Sequence, residues 1–131
     1  MQNIELWFPF PDISSKQRFY CEGVHDDYEG FRILLKGANP ESKMLRLSWE
    51  NALFYQNRDE CYFTFQSEYQ GKFDFPHPFY QIIGSNLIER FHQESARAYA
   101  DWAIKHYSIY TCNDCIDVLS ALEPKAEVLG G

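Results

Sequence analysis

Between Gln81 and Ser120 the chain carries no proline and a single glycine, Gly84. A stretch this free of breakers must hold regular structure, and its pattern changes once along its length. Leu87, Ile88, Phe91, Ser95, Ala98 and Trp102 recur at three- and four-residue steps, which is one helical stripe. Ser85 is the expected N-cap, since its hydroxyl can accept from an early backbone N–H. Glu89 and Glu94 in the early turns suit the positive end of the helix. No Gly or Pro ends the helix, so its end is placed between Ser95 and Ala103.

Past that point β-branched and aromatic residues take over, from Ile104 to Thr111 and again from Ile116 to Leu119. Cys112-Asn113-Asp114-Cys115 separates the two runs. Asn and Asp favour tight turns, so a hairpin is expected. Ile116 and Val118 alternate with Asp117 and Leu119, which predicts a half-buried strand with a carboxylate on one face. Pro124 breaks the pattern, and the tail from 124 to 131 reads as an edge strand or a loose end.

The upstream chain is rich in strands. Residues 1–15 hold Ile4, Leu6, Trp7, Phe8, Phe10 and Ile13. Pro9 and Pro11 exclude a helix or a central strand there, so an apolar arm across the core is expected. Arg18 to Glu22, Phe31 to Lys36 and Met44 to Trp49 alternate as three strands of an antiparallel meander. Gly23 to Gly30 reads as a loop, and so does Glu68 to Pro78. Glu50 to Glu60 is ambiguous between a short strand and a helical turn. Cys61 to Gln66 and Phe79 to Ile83 read as further strands. The expected fold is α+β: one twisted antiparallel sheet of about six strands, a main helix on one face, and a C-terminal β-hairpin. A strongly curved, half-open barrel is the alternative. The length of 131 residues favours a single domain.

Composition narrows function. Hydrophobic residues make up 45% of the chain and aromatics 18%, which excludes a disordered chain. The net charge of −7 disfavours binding to a phosphate backbone. It suits a basic protein partner, or it merely keeps the protein soluble. No apolar run approaches the roughly 18 residues that span a bilayer. No signal peptide is visible, so a cytoplasmic protein with four reduced cysteines is expected.

Several residue groups can carry chemistry. Cys112-x-x-Cys115 can ligate zinc together with Cys21, Cys61 or His106, or act as a redox pair. The bland reading is two thiols flanking a turn, because no second closely spaced pair exists. His106, Cys115 and Asp114 or Asp117 can be drawn as a nucleophilic site. Such a tight hairpin is expected to have trouble putting thiolate, imidazole and carboxylate in line on one face. Asp26, Asp27 and Glu29 crowd one segment beside His25, but without EF-hand spacing they read as a solvated acidic loop. The P-loop, GxGxxG, HExxH and GxSxG motifs do not occur, so no cofactor, metal or catalytic residue is expected.

Three stretches together resemble a known group: GFRILLKG at 30–37, MLRLSWENALFYQNRDE at 44–60 and IKHYSIYTCNDCIDVLS at 104–120. They are similar to a family of small bacterial proteins with a strand-rich body and a C-terminal hairpin. Relatives of that kind resemble immunity proteins, which neutralise the toxin domains of contact-dependent competition. The resemblance implies a non-enzymatic binding protein that occludes a toxin domain encoded by a neighbouring gene. Acidic and aromatic groups would carry that docking: Asp26, Asp27, Tyr28, Glu29, Asp59 and Glu60. The alternative function is a small-molecule binder or enzyme with a pocket between sheet and helix, lined by Tyr55, His106, Tyr107 and Asp117. A zinc-stabilised interaction module is the third reading.

Overall fold

The computed structural model describes residues 2–14, 17–58 and 69–130. The expected strand at 61–66 lies outside these residues, as do Asp59 and Glu60. In chain order the elements are β1 (Asn3–Leu6), β2 (Phe19–Asp27), β3 (Gly30–Gly37), β4 (Met44–Trp49), β5 (Phe54–Arg58), β6 (Gln70–Gly71), β7 (Phe79–Ile83), α1 (Asn86–Glu94), β8 (Lys105–Tyr110), β9 (Cys115–Ser120) and β10 (Lys125–Leu129). The chain is sheet-rich with a single short helix among the described residues.

The strands form two sheets, where one was expected. The larger runs β5-β9-β8-β7-β1-β6 and the smaller runs β10-β4-β3-β2. Their inner faces share one apolar core. Phe31, Ile33, Leu35, Leu45, Leu47 and Trp49 come from the smaller sheet, and Phe79, Tyr107, Ile109, Ile116 and Val118 from the larger. Each such fully buried side chain contributes about 1.5–3 kcal/mol by leaving water. Alternation in a strand fixes which residues share a face but not which other strand lies opposite. One twisted sheet and a two-sheet sandwich therefore share the same pattern.

The β2-β3-β4 meander forms, but β2 runs further than its composition suggests. A register shift between Cys21 and Gly23 absorbs Glu22 as a bulge, and pairing with β3 then continues to Asp27↔Gly30. The expected loop from Gly23 to Gly30 is thus mostly strand, and only Tyr28 and Glu29 turn. Gly30 closes that turn at φ 100°, a conformation that favours glycine. The N-terminal segment supplies β1, paired with β7, and sends Phe10 into the core with Trp7 and Ile13 packed against it. The segment after Pro124 supplies β10, an edge strand paired with β4.

The β8–β9 hairpin is the centre of the larger sheet, between β5 and β7. Every residue of β9 is buried, Asp117 included, against the expected half-buried strand. Its turn also ties the sheets together. The Asn113 side chain accepts from the Cys21 backbone N–H at 2.9 Å and donates to the Cys21 carbonyl at 3.2 Å. Cys112 N–H donates to the Phe19 carbonyl at 2.9 Å.

The helix plays a smaller part than its sequence suggests. Ser85 caps it, accepting from Ile88 N–H at 3.1 Å. It ends at Glu94, because Ala96 and Arg97 adopt left-handed conformations at φ 51° and 59°. Ala98 and Trp102 therefore lie beyond it. No residue of α1 is fully buried. No helix among the described residues is long and apolar enough to cross a membrane.

Candidate functional site

Two regions carry the chemistry. The first is the β2–β3 hairpin tip, where Asp26, Asp27, Tyr28 and Glu29 are all exposed. Tyr28 is 96% exposed, the most open of the large hydrophobic side chains among the described residues. The backbone beneath it is fixed. Asp27 receives a two-pronged contact from Arg32, with Nη1 on Oδ1 at 2.9 Å and Nη2 on Oδ2 at 3.1 Å. Its Oδ1 also accepts from Glu29 N–H at 2.9 Å, and Arg32 reaches Glu29 at 3.2 Å. The Arg32 hydrogen bonds and then the Glu29 N–H hold the Asp27 carboxyl below its ordinary range. Local sequence alone brings these four residues together. Two of the three carboxylates are engaged by arginine, which leaves the tip without a ready-made cation cage.

The second region lies on the outer face of the larger sheet, where α1 begins. A half-open cleft of about 450 Å³ has His106 and Asp117 on its floor. Gln56 and Arg58 of β5 stand on one side, and Asn86 and Arg90 of α1 on another. Strand register explains the floor. Gln56 pairs with Asp117, Arg58 with Cys115 and Ser108 with Asp117, so these side chains share the outer face.

Asp117 is 1% exposed and accepts from all sides. Its Oδ1 receives Ser108 Oγ–H at 2.6 Å and His106 Nε2 at 2.8 Å. Its Oδ2 receives Gln56 Nε2 at 2.8 Å and Arg58 Nη2 at 3.4 Å. Burial pushes its carboxyl up, but the hydrogen bonds from His106, Ser108 and Gln56 outweigh burial and hold it below the ordinary range. Nε2 of His106 faces the carboxylate, and its other ring nitrogen, Nδ1, lies 2.7 Å from the Ser85 hydroxyl. The N-cap of α1 is thereby bonded to the sheet.

Ser85, His106 and Asp117 have the connectivity of a hydrolytic triad, and the hairpin does align imidazole with carboxylate. The three groups of the nucleophilic site are nevertheless not brought together, since the Cys115 sulfur is not a free thiolate. His106 pairs with Leu119 and reaches diagonally to Asp117, two residues along the neighbouring strand and on the same face. The chemistry of a nucleophile does not follow. The Ser85 hydroxyl caps the helix, is buried, and does not line the cleft. The pair works as a structural clamp.

The pocket residues anticipated from sequence divide between the two faces. His106 and Asp117 face the cleft, whereas Tyr107 points into the core between the sheets and Tyr55 packs tilted against Phe31, ring centroids 4.4 Å apart. A one-residue step along a strand reverses the face. Sequence reasoning missed Gln56, Arg58, Asn86 and Arg90, which reach the cleft only through strand pairing and helix placement.

The cysteines also depart from expectation. Cys21 and Cys112 are free, and burial pushes the Cys21 thiol up to about 11. Cys115 is disulfide-bonded rather than reduced. It therefore supplies neither a thiolate nucleophile nor half of a Cys112–Cys115 zinc pair. Both ring nitrogens of His106 are already engaged, which removes it as a ligand. No group of three metal-ligating side chains occurs among the described residues. No protein-family model, curated protein or solved structure matches the chain.

Proposed function

We propose that this is a non-enzymatic binding protein that docks onto a basic protein partner in a stoichiometric complex, as immunity proteins of toxin systems do. The observation that carries the reading is the β2–β3 tip. A fully exposed tyrosine stands on a backbone held rigid by the Arg32–Asp27–Glu29 bonds, among three carboxylates. Aromatic side chains on rigid supports lose little entropy on binding and dominate interface energetics. The carboxylates and the net charge of −7 speed encounter with a basic surface. The resemblance of residues 30–37, 44–60 and 104–120 to immunity-type proteins favours a toxin domain as that partner. A disulfide at Cys115 sits badly with a reducing cytosol, so the proposal leaves aside the cytoplasmic placement.

The test is co-expression with the product of the adjacent gene, followed by titration calorimetry. The expected result is a one-to-one complex that Tyr28→Ala weakens by about 30-fold, a typical loss for a central aromatic anchor. A neighbouring gene product that neither binds nor is neutralised sinks the reading. So does a complex indifferent to Tyr28→Ala.

A further inference from the structure

The cleft beside α1 has no part in the docking reading, and its construction points to a ligand of its own. Its walls bring two arginines together on a protein of net charge −7. Arg58 and Arg90 come from different elements, 32 residues apart, so no local sequence feature forces the pairing. Asp117 is the only acidic residue lining the cleft among the described residues, and its two oxygens already receive four donors. Its acceptor sites are therefore filled and it holds Arg58 in place, while the described lining still carries one more arginine than carboxylate. Only Nη2 of Arg58 touches a described partner, which leaves Nε and Nη1 to be satisfied by something else. Arg90 has one long contact, Nε to Glu94 at 3.7 Å, at the exposed helix surface. The amides of Gln2, Gln56 and Asn86 add neutral polar groups to the same space.

We propose that this cleft binds a small polar anion carrying a carboxylate or a phosphate. A guanidinium presents donors in a planar fork that matches either group, and two such forks select for negative charge. The cleft of about 450 Å³ is larger than a bare inorganic ion needs and falls in the size range of metabolite sites. The bound group sits between Arg58 and Arg90, and the amides take the ligand's hydroxyl or carbonyl groups. His106 and Asp117 act from the floor as positioning residues, holding α1 and β5 at the spacing the anion requires. No bond is made or broken.

The experiment is a titration of the full chain, followed by amide chemical shifts, with inorganic phosphate in one arm and citrate in the other. Saturable shifts centred on Arg58, Asn86, Leu87 and Arg90 are expected in at least one arm, and the responding arm identifies the anion class. Arg90→Gln, at an exposed position, should leave the spectrum folded and weaken binding about tenfold. Arg58→Lys keeps the charge but loses the fork, and should weaken binding with the fold intact. Tyr28→Ala should leave anion binding unchanged, so failure here and failure of the docking reading are separable. Shifts that stay linear in both arms, or an affinity that both arginine variants leave untouched, overturn the proposal.

Discussion

Asp27 and Asp117 are both carboxylates held below their ordinary range, and both have an arginine within reach. They differ in burial. The Asp27 side chain is 47% exposed at a hairpin tip, while that of Asp117 is 1% exposed under a cleft. At the tip, water and salt compete for every contact, so the Arg32 pair adds little to folding. Under the cleft the alternative to the His106 and Ser108 hydrogen bonds is an unmet buried donor or charge. The same bonding pattern is thus dispensable for stability in one place and required in the other. The exposed site is free to be shaped for a partner, whereas the buried one is bound to the architecture.

The largest effect should come from breaking the buried side of this comparison. Asp117→Ala removes the acceptor of the buried His106 and Ser108 donors, and of Gln56 and Arg58 at the more open edge of the cleft. Each buried donor left without an acceptor costs about 1–3 kcal/mol. Urea denaturation should show that loss as a lower midpoint. A variant of wild-type stability would mean that water replaces the carboxylate, and that the site is wetter than its burial indicates.

Acid should sharpen the contrast next. The folded-state pKa of Asp117 lies below the unfolded value of about 3.9. Its contribution is therefore fully present above that value and is lost as pH falls through the folded-state pKa. The stability gap between wild type and Asp117→Asn should be widest near pH 6 and should shrink as pH falls from about 5 toward 2. A gap that stays constant over that interval would contradict the depressed pKa.

These two regions also mark where the sequence could be read and where it could not. The β8–β9 hairpin was legible because β-branched runs flank an Asn-Asp turn, and both facts are local. The start of α1 was legible from Ser85 for the same reason. Its end was not, because Ala96 and Arg97 turn left-handed without the glycine that usually signals it. The extension of β2 depends on a bulge at Glu22 and on pairing with β3, neither of which its loop-like composition announces. The division into two sheets was hidden because alternation gives faces without partners. At the site, the tip residues are contiguous and could be picked as a group. His106 and Asp117 could each be singled out, but their bond and their approach to Gln56, Arg58 and Arg90 depend on register. Cys115 shows the same limit, since a thiol's partner in space is not written in its neighbours.

The smallest effect on stability is expected at the tip. Asp27→Asn removes the charge that Arg32 grips but leaves an oxygen for the Glu29 N–H. Arg32 can turn to Glu29, already 3.2 Å away, so the turn keeps a second anchor. The thermal midpoint of the free protein should therefore stay within error of wild type, at low salt and at high. The change should appear in association instead. A charge lost from a steering surface lowers the on-rate and flattens its salt dependence, with little change in dissociation. Stopped-flow mixing with the partner at two ionic strengths separates these quantities. A drop in midpoint comparable to that of Asp117→Ala would show that the tip is structural after all, and that exposure does not divide the two carboxylates.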